Sequence, residues 1–426
     1  MSTTKGKRFG RITRFFIGSL VVALTAGLIP SQSASATQEI RFMSWAWQEP
    51  HIKLLKEMVA DWNKKNPNSP VKLELVDEEG MYTALSTGFL AGTAPDVIDT
   101  EAAAALQYAQ KGYLFNLTSS FRYLQKEVNP GIWKTASSQA RLFGVPWFIE
   151  QYLVAANVDL VKKLGGTLPK PNDKFTWEDL RALAKSVSTP TTPGLGVGLS
   201  QAAKLTMVLG PTYGAKYFVG LTAGSKAKLI QGDAELAIVK NFADMIQIDK
   251  SIDARYVSSN PQTQFMAGTL PLIFTKNSLA GTFDTAKNLN YQYLPMISGP
   301  AGSAQAPTAG IFAVNGRTKV AKESIRFVKY LMERDNLAKL AISVGGGLPG
   351  TSSSQERVKE LKKGDANWQQ IMSQGENLTT APFLFVPQWE AWKSSFQNPQ
   401  ARLLYTGKIS LAEYRRALAV GWNGLR

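Results

Sequence analysis

Residues 40–98 read IRFMSWAWQEPHIKLLKEMVADWNKKNPNSPVKLELVDEEGMYTALSTGFLAGTAPDVI, and in them three apolar runs alternate with two helical patterns. The run from residue 40 to Trp45 is a short apolar strand. Ile52, Leu55, Val59 and Trp62 then recur at helical spacing, and the pattern stops at Asn66-Pro67-Asn68. Val71, Leu73 and Leu75 alternate with Lys72, Glu74 and Val76, a second strand with one wetter face. A helix over residues 82–90 leads to Gly92-Thr93-Ala94-Pro95, and residues 96–98 form a third strand. Strand, helix, strand, helix, strand predicts an α/β unit with a largely parallel sheet. Ligands of such sheets bind outside the carboxyl ends of the strands, so the segments after Met43, Val76 and Ile98 are where function is to be sought.

Upstream of this unit, Lys5, Lys7, Arg8, Arg11 and Arg14 precede an apolar run over residues 15–29, and Ala34-Ser35-Ala36 follows Pro30. Basic, apolar and small-residue regions in that order describe a secretory signal peptide over residues 1–36. The apolar core is shorter than the roughly 20 residues a membrane-spanning helix needs. No Arg-Arg pair marks a twin-arginine route. Cleavage near Ala36 would leave a soluble exported chain in the periplasm or outside the cell, beginning at Thr37. An uncleaved segment acting as a tether is the alternative.

Composition narrows the chemistry further. The chain has no cysteine, which excludes disulfides, thiolate metal sites, Cys nucleophiles and lipid attachment through Cys. His51 is its one histidine, read here as a solvated residue near a helix start, so His-clustered metal sites are excluded. The formal charge of +16 includes the five basic residues of the export segment, leaving +11. Lys and Arg are scattered among acids, as in Glu356-Arg357-Val358-Lys359-Glu360, which is a solvated helix face and not a nucleic-acid stripe. From about residue 175 helical signals dominate, with capping boxes at Thr176-Trp177-Glu178-Asp179 and Ser410-Leu411-Ala412-Glu413. Residues 291–296 and 311–314 read as strands returning to a sheet.

The run Phe89-Leu90-Ala91-Gly92-Thr93-Ala94-Pro95-Asp96-Val97-Ile98 resembles a segment of extracellular solute-binding proteins of the sugar-binding family 1. Gly112-Tyr113-Leu114, Gly144-Val145-Pro146, Asn157-Val158-Asp159-Leu160, Phe265-Met266-Ala267-Gly268 and Gly347-Leu348-Pro349 continue that pattern in order, covering nearly the whole chain after the signal. Two departures stand at Thr269-Leu270-Pro271-Leu272 and at Asn277, where many members carry an aromatic residue. The resemblance implies a maltose-binding-protein-like, two-lobed α/β fold of type II, with the ligand cleft between the lobes. It places one lobe at residues 37–148 and 308–350 and the other at 149–307 and 351–426. Crossings are expected near 148–151, 307–311 and 349–354. It also implies a monomeric capture subunit of an ABC importer, taking a mono- or oligosaccharide and delivering it to permease subunits, with no cofactor and no metal.

Sugars offer an apolar ring face and a rim of hydroxyls, which aromatic side chains and carboxylates or amides match. Trp45, Trp47 and Gln48 follow the first strand and are ligand candidates on position. Asp99 and Glu101 follow the third; Asp99 or Thr100 is alternatively the N-cap of the helix through Ala105. By resemblance, Glu150 and Gln151 lie in the first crossing, Asn277 in the second lobe's loop, and Trp389 or Trp392 where a stacking aromatic is supplied. Gly310 either turns the chain or lets it approach closely. The competing reading is an exported carbohydrate-active enzyme with paired carboxylates drawn from Glu78, Glu79, Asp99 and Glu101.

Overall fold

A computed structural model describes residues 38–425, apart from 221–226 and 376. The export segment over residues 1–36 lies outside the described residues. Strand β1 (Ile40–Trp45) lies between β2 (Val71–Val76) and β3 (Val97–Glu101), parallel to both. Helices α1 (Glu49–Lys65) and α2 (Glu78–Ala91) make the two connections, and α3 (Ala102–Gln110) follows β3. Local chemistry sets these boundaries. Pro50 stands in the first turn of α1, where its missing N–H costs nothing. The Asn63 side chain accepts from Val71 N at 2.6 Å and donates to Val71 O at 3.0 Å, fixing the turn into β2. Asp77 caps α2 by accepting from Gly80 N, and Gly92 ends it in the left-handed region at φ 72°.

The chain returns to this sheet as β4 (Val145–Glu150), β9 (Thr308–Val314) and β10 (Leu348–Pro349), giving the order β10-β4-β9-β3-β1-β2. β9 runs antiparallel to both β3 and β4, and β10 antiparallel to β4. The sheet is therefore mixed, and the largely parallel expectation holds only for its first three strands. The reason is topological: β9 re-enters from the far sheet and meets its neighbours head to tail. Between β4 and β9 the chain builds a second sheet, with β5 (Tyr152–Asn157), β6 (Leu195–Val197), β7 (Leu272–Lys276) and β8 (Tyr291–Tyr293) in the order β8-β5-β7-β6.

Each sheet has its own aromatic core. In the first, Phe42 meets Phe327 at 5.3 Å and Phe312 at 6.1 Å, both edge to face. In the second, Trp177 stacks on Phe274 at 6.0 Å and meets Phe242 edge-on at 5.7 Å. Burial of a side chain of this size stabilises by about 1.5–3 kcal/mol. The capping boxes form as the sequence predicts, on α4 (Trp177–Ser186) and on the C-terminal helix Leu411–Gly424.

One residue, Gln151, separates β4 of the first sheet from β5 of the second. Two amide side chains supply hydrogen bonds there. Asn277 accepts from Gln151 N and donates to Ile149 O, both at 3.1 Å. Gln305, three residues before β9, accepts from Tyr152 N at 3.0 Å and donates to Tyr152 O at 2.7 Å. These amides pin two of the strands that connect the sheets.

Candidate ligand-binding site

Strand ends from both sheets converge on a cavity of about 270 Å³. Trp45, Trp47, His51, Asp77, Asp99 and Glu101 line it from the β1 and β3 side, and Trp147, Phe148, Glu150, Lys276 and Gly310 from the crossing side. The carboxyl-end rule therefore locates the cavity. Six of the ten candidates meet in it: Trp45, Trp47, Asp99, Glu101, Glu150 and Gly310.

The aromatic residues form two groups. Trp147 stacks on Phe312 at 5.2 Å and on His51 at 5.6 Å, which makes it part of the cavity wall and not a mobile contact. Trp45 meets Tyr82 edge-on at 5.9 Å. Trp47 is different: it is 42 % exposed, and its ring stands 6.1 Å from Phe148. An exposed tryptophan facing a cavity is a surface on which a sugar ring can stack. Gly310 is explained by close approach. A Cβ there would lie 2.6 Å from Phe148 and 2.8 Å from the Trp147 indole nitrogen. The turn belongs to Gly345 (φ 80°) and Gly346 (φ 147°) instead.

The carboxylates divide by environment. Asp99 is buried and accepts hydrogen bonds from Ser44 Oγ at 2.7 Å and from Trp147 Nε1 at 2.8 Å. Burial pushes its pKa up to about 7, against the pull of those two bonds. It does not cap α3: the N-cap position is Glu101, without a side-chain cap bond, because β3 runs two residues beyond Asp99. Burial also works against the charge of Glu150, but Lys276 at 2.7 Å and Lys204 at 3.9 Å more than offset it and hold the carboxyl below its ordinary range. Ser278 Oγ adds a hydrogen bond at 3.2 Å.

His51 requires a correction. It is 1 % exposed and not solvated. Pro50 starts the helix early enough that His51 joins Leu55, Met58, Val59 and Trp62 on the buried face of α1. Its Nδ1 lies 2.9 Å from Ser343 Oγ, and burial lowers its pKa to about 4.

The remaining four candidates stand elsewhere. Gln48 is half-buried at the N-cap of α1, close to Gly345. Gln151 and Asn277 are buried at the crossing, where Gln151 Nε2 also reaches Ile371 O at 3.2 Å. Trp389, expected against the ligand, is 4 % exposed and packs on Phe383 at 4.5 Å, with Lys393 Nζ 4.6 Å from its ring centre. Trp392 is buried against Trp422. A helical turn following Pro387 aims both rings into the core. Lys276 and Lys204 carry no signal of their own in the sequence, although Lys276 ends a strand and so falls under the same positional rule that found Asp99. The side chains of Glu78 and Glu79 lie outside the described residues.

With this geometry, the comparison with known proteins is specific. The profile of the bacterial extracellular solute-binding proteins matches residues 47–338, and the chain belongs to that family. An uncharacterized lipoprotein of Streptomyces antibioticus is 24% identical over 417 residues, covering 95% of this chain and 90% of its own. An ABC substrate-binding protein of Listeria monocytogenes, solved in complex with cycloalternan, is 19% identical with a TM-score of 0.76, over 91% of this chain and 98% of its own. The sugar-binding protein MalE of Xanthomonas citri is 18% identical with a TM-score of 0.77, over 90% and 96%. These likenesses establish the two-lobed fold.

Proposed function

We propose that this chain captures a carbohydrate outside the cytoplasm and hands it to the permease of an ABC importer. The observation that carries the reading is the cavity between strand ends of two sheets, with an exposed Trp47 beside Phe148 and a set of fixed carboxylates and lysines. Aromatic faces match the apolar side of a sugar ring, and the charged groups match its hydroxyl rim. The solved relatives named above, one a sugar-binding protein and one holding cycloalternan, support the same chemistry. At about 270 Å³ the cavity lies at the small end for ligand pockets, roughly 300–1,000 Å³, which favours a single sugar unit or a short glycan.

In this reading Trp45, Trp47, Glu101, Glu150 and Gly310 meet the ligand, Asp99 holds Trp147 in place, and Gln151 and Asn277 hold the crossing. One lobe comprises residues 37–148 and 308–350, the other 149–307 and 351–426, and hinge closure is the established motion of periplasmic binding proteins. Catalysis by paired carboxylates has less support. Both oxygens of Asp99 are engaged, and Glu150 is held ionised by two lysines, which unfits it as a general acid. The chain acts as a monomer, released after cleavage at Ala36.

A thermal-shift screen across neutral, amino, uronic and phosphorylated sugars tests the function. A ligand at 100 times its Kd stabilises the folded state by about 2.7 kcal/mol, which reads as a rise in melting temperature. Silence across the whole panel would reject a sugar ligand. N-terminal sequencing of the exported protein tests the processing: Thr37 is expected, and an intact Met1 means a tether.

A further inference from the structure

Lys204 lies in helix α5 (Ala202–Leu209), which follows β6 of the second sheet and packs on the helices Asp233–Gln247 and Asn398–Tyr405 of the same lobe. Its Nζ stands 3.9 Å from Glu101 and 3.9 Å from Glu150. Glu101 ends β3 of the first sheet, and Glu150 ends β4 where the chain passes between sheets. A helix of one lobe thus places a cation between a strand end of the other lobe and the crossing itself. Neither distance is a direct hydrogen bond, so the contact is one of charge, and the ammonium keeps its donors for a third group. The Lys204 side chain is 18 % exposed and that of Glu150 9 %, whereas that of Glu101 is 39 % exposed. Lys276 already neutralises Glu150 at 2.7 Å, which leaves Glu101 as the carboxylate whose balance depends on Lys204.

We infer that Lys204 is a positioning residue that ties the two lobes together across the cavity, drawing them toward the closed form before any ligand arrives and holding Glu101 against it. Lys204 is buried but Glu101 opens to solvent, so salt screens part of this attraction. Without the ammonium, the charge contact between Glu101 and the second lobe is lost and the lobes part. Preorganisation of this kind lowers the cost of closure on binding. Only the affinity part of the test rests on the sugar-capture reading.

Small-angle scattering on the ligand-free protein measures the tie directly. Lys204→Met and, separately, Glu101→Gln are each expected to enlarge the radius of gyration, while Lys204→Arg keeps it at the wild-type value. Glu101 is half-exposed, so Glu101→Gln folds even where Lys204→Met proves unstable. An unchanged radius in either the Met or the Gln variant overturns the tie. With a sugar from the panel in hand, Lys204→Met should weaken its binding about tenfold and Lys204→Arg restore most of it. Failure of every sugar to bind would count against the capture reading alone, because the scattering result stands without a ligand.

Discussion

Trp47 and Asp99 line one cavity with opposite assignments. Trp47 is exposed and its loss removes little packing, so Trp47→Ala should leave the melting temperature within a degree or two of wild type. Ligand affinity should fall at least tenfold by calorimetry, since an aromatic face contributes about 0.5–1.5 kcal/mol beyond the area it buries. Unaltered affinity would take Trp47 out of the site. Asp99 and His51 instead govern pH dependence, in opposite directions. Burial lifts Asp99 to about 7, so folding favours its protonated form. That contribution is complete below about pH 4 and is lost as pH rises through 7, an upper bound of roughly 4 kcal/mol. His51 is lowered to about 4, so folding favours its neutral ring. Its contribution is complete above about pH 6.5 and is lost as pH falls toward 4. Denaturant titrations between pH 4 and 7 should show Asp99→Asn gaining on wild type as pH rises. His51→Phe, which keeps a ring against Trp147, should gain as pH falls. Curves parallel to wild type would disprove both assignments.

At the level of elements, the strands that cross between sheets depend on residues that packing alone would not select. Gly310 lets β9 lie against Trp147 and Phe148, and a methyl group there must displace one ring. Gly310→Ala should therefore destabilise by about 1–3 kcal/mol and weaken ligand binding as well, read from denaturation and calorimetry together. Asn277 presents a second case. Asn277→Ala leaves the Gln151 N–H and the Ile149 carbonyl without this partner, a loss of about 1–3 kcal/mol for each buried group. Faster amide exchange at Gln151 in that variant, with exchange in β1 unchanged, would place the damage at the crossing. Much of this level was legible in advance: β1, α1, β2 and both capping boxes follow from periodicity and cap chemistry. β3 extends three residues beyond the expected end at Ile98, because Asp99-Thr100-Glu101 looks like a helix start while the antiparallel pairing with β9 keeps it extended.

For the molecule as a whole, the proposed function requires that binding at the cavity between the two sheets and closure of the lobes occur together. Addition of a bound sugar should raise the melting temperature by a few degrees at 100 times Kd and reduce the radius of gyration in the same titration. A thermal shift without compaction would separate binding from hinge closure. Among the described residues no helix is long and apolar enough to cross a membrane.

Periodicity, caps and the order of motifs were sufficient by themselves for the α/β unit and the resemblance to solute-binding proteins, because each depends on residues close together in the chain. They also located the cavity, since strand ends are a local property. Three things waited for the tertiary structure. Trp389 went to the core and Trp47 to the cavity, although both are tryptophans beside turns, because only the neighbouring helices determine which way a ring faces. His51 became a buried neutral ring through its contact with Trp147, 96 positions away. Lys204 met Glu101 only when two lobes, each folded on its own sheet, came together. Charge and burial act through space, and the chain's order carries no record of that distance.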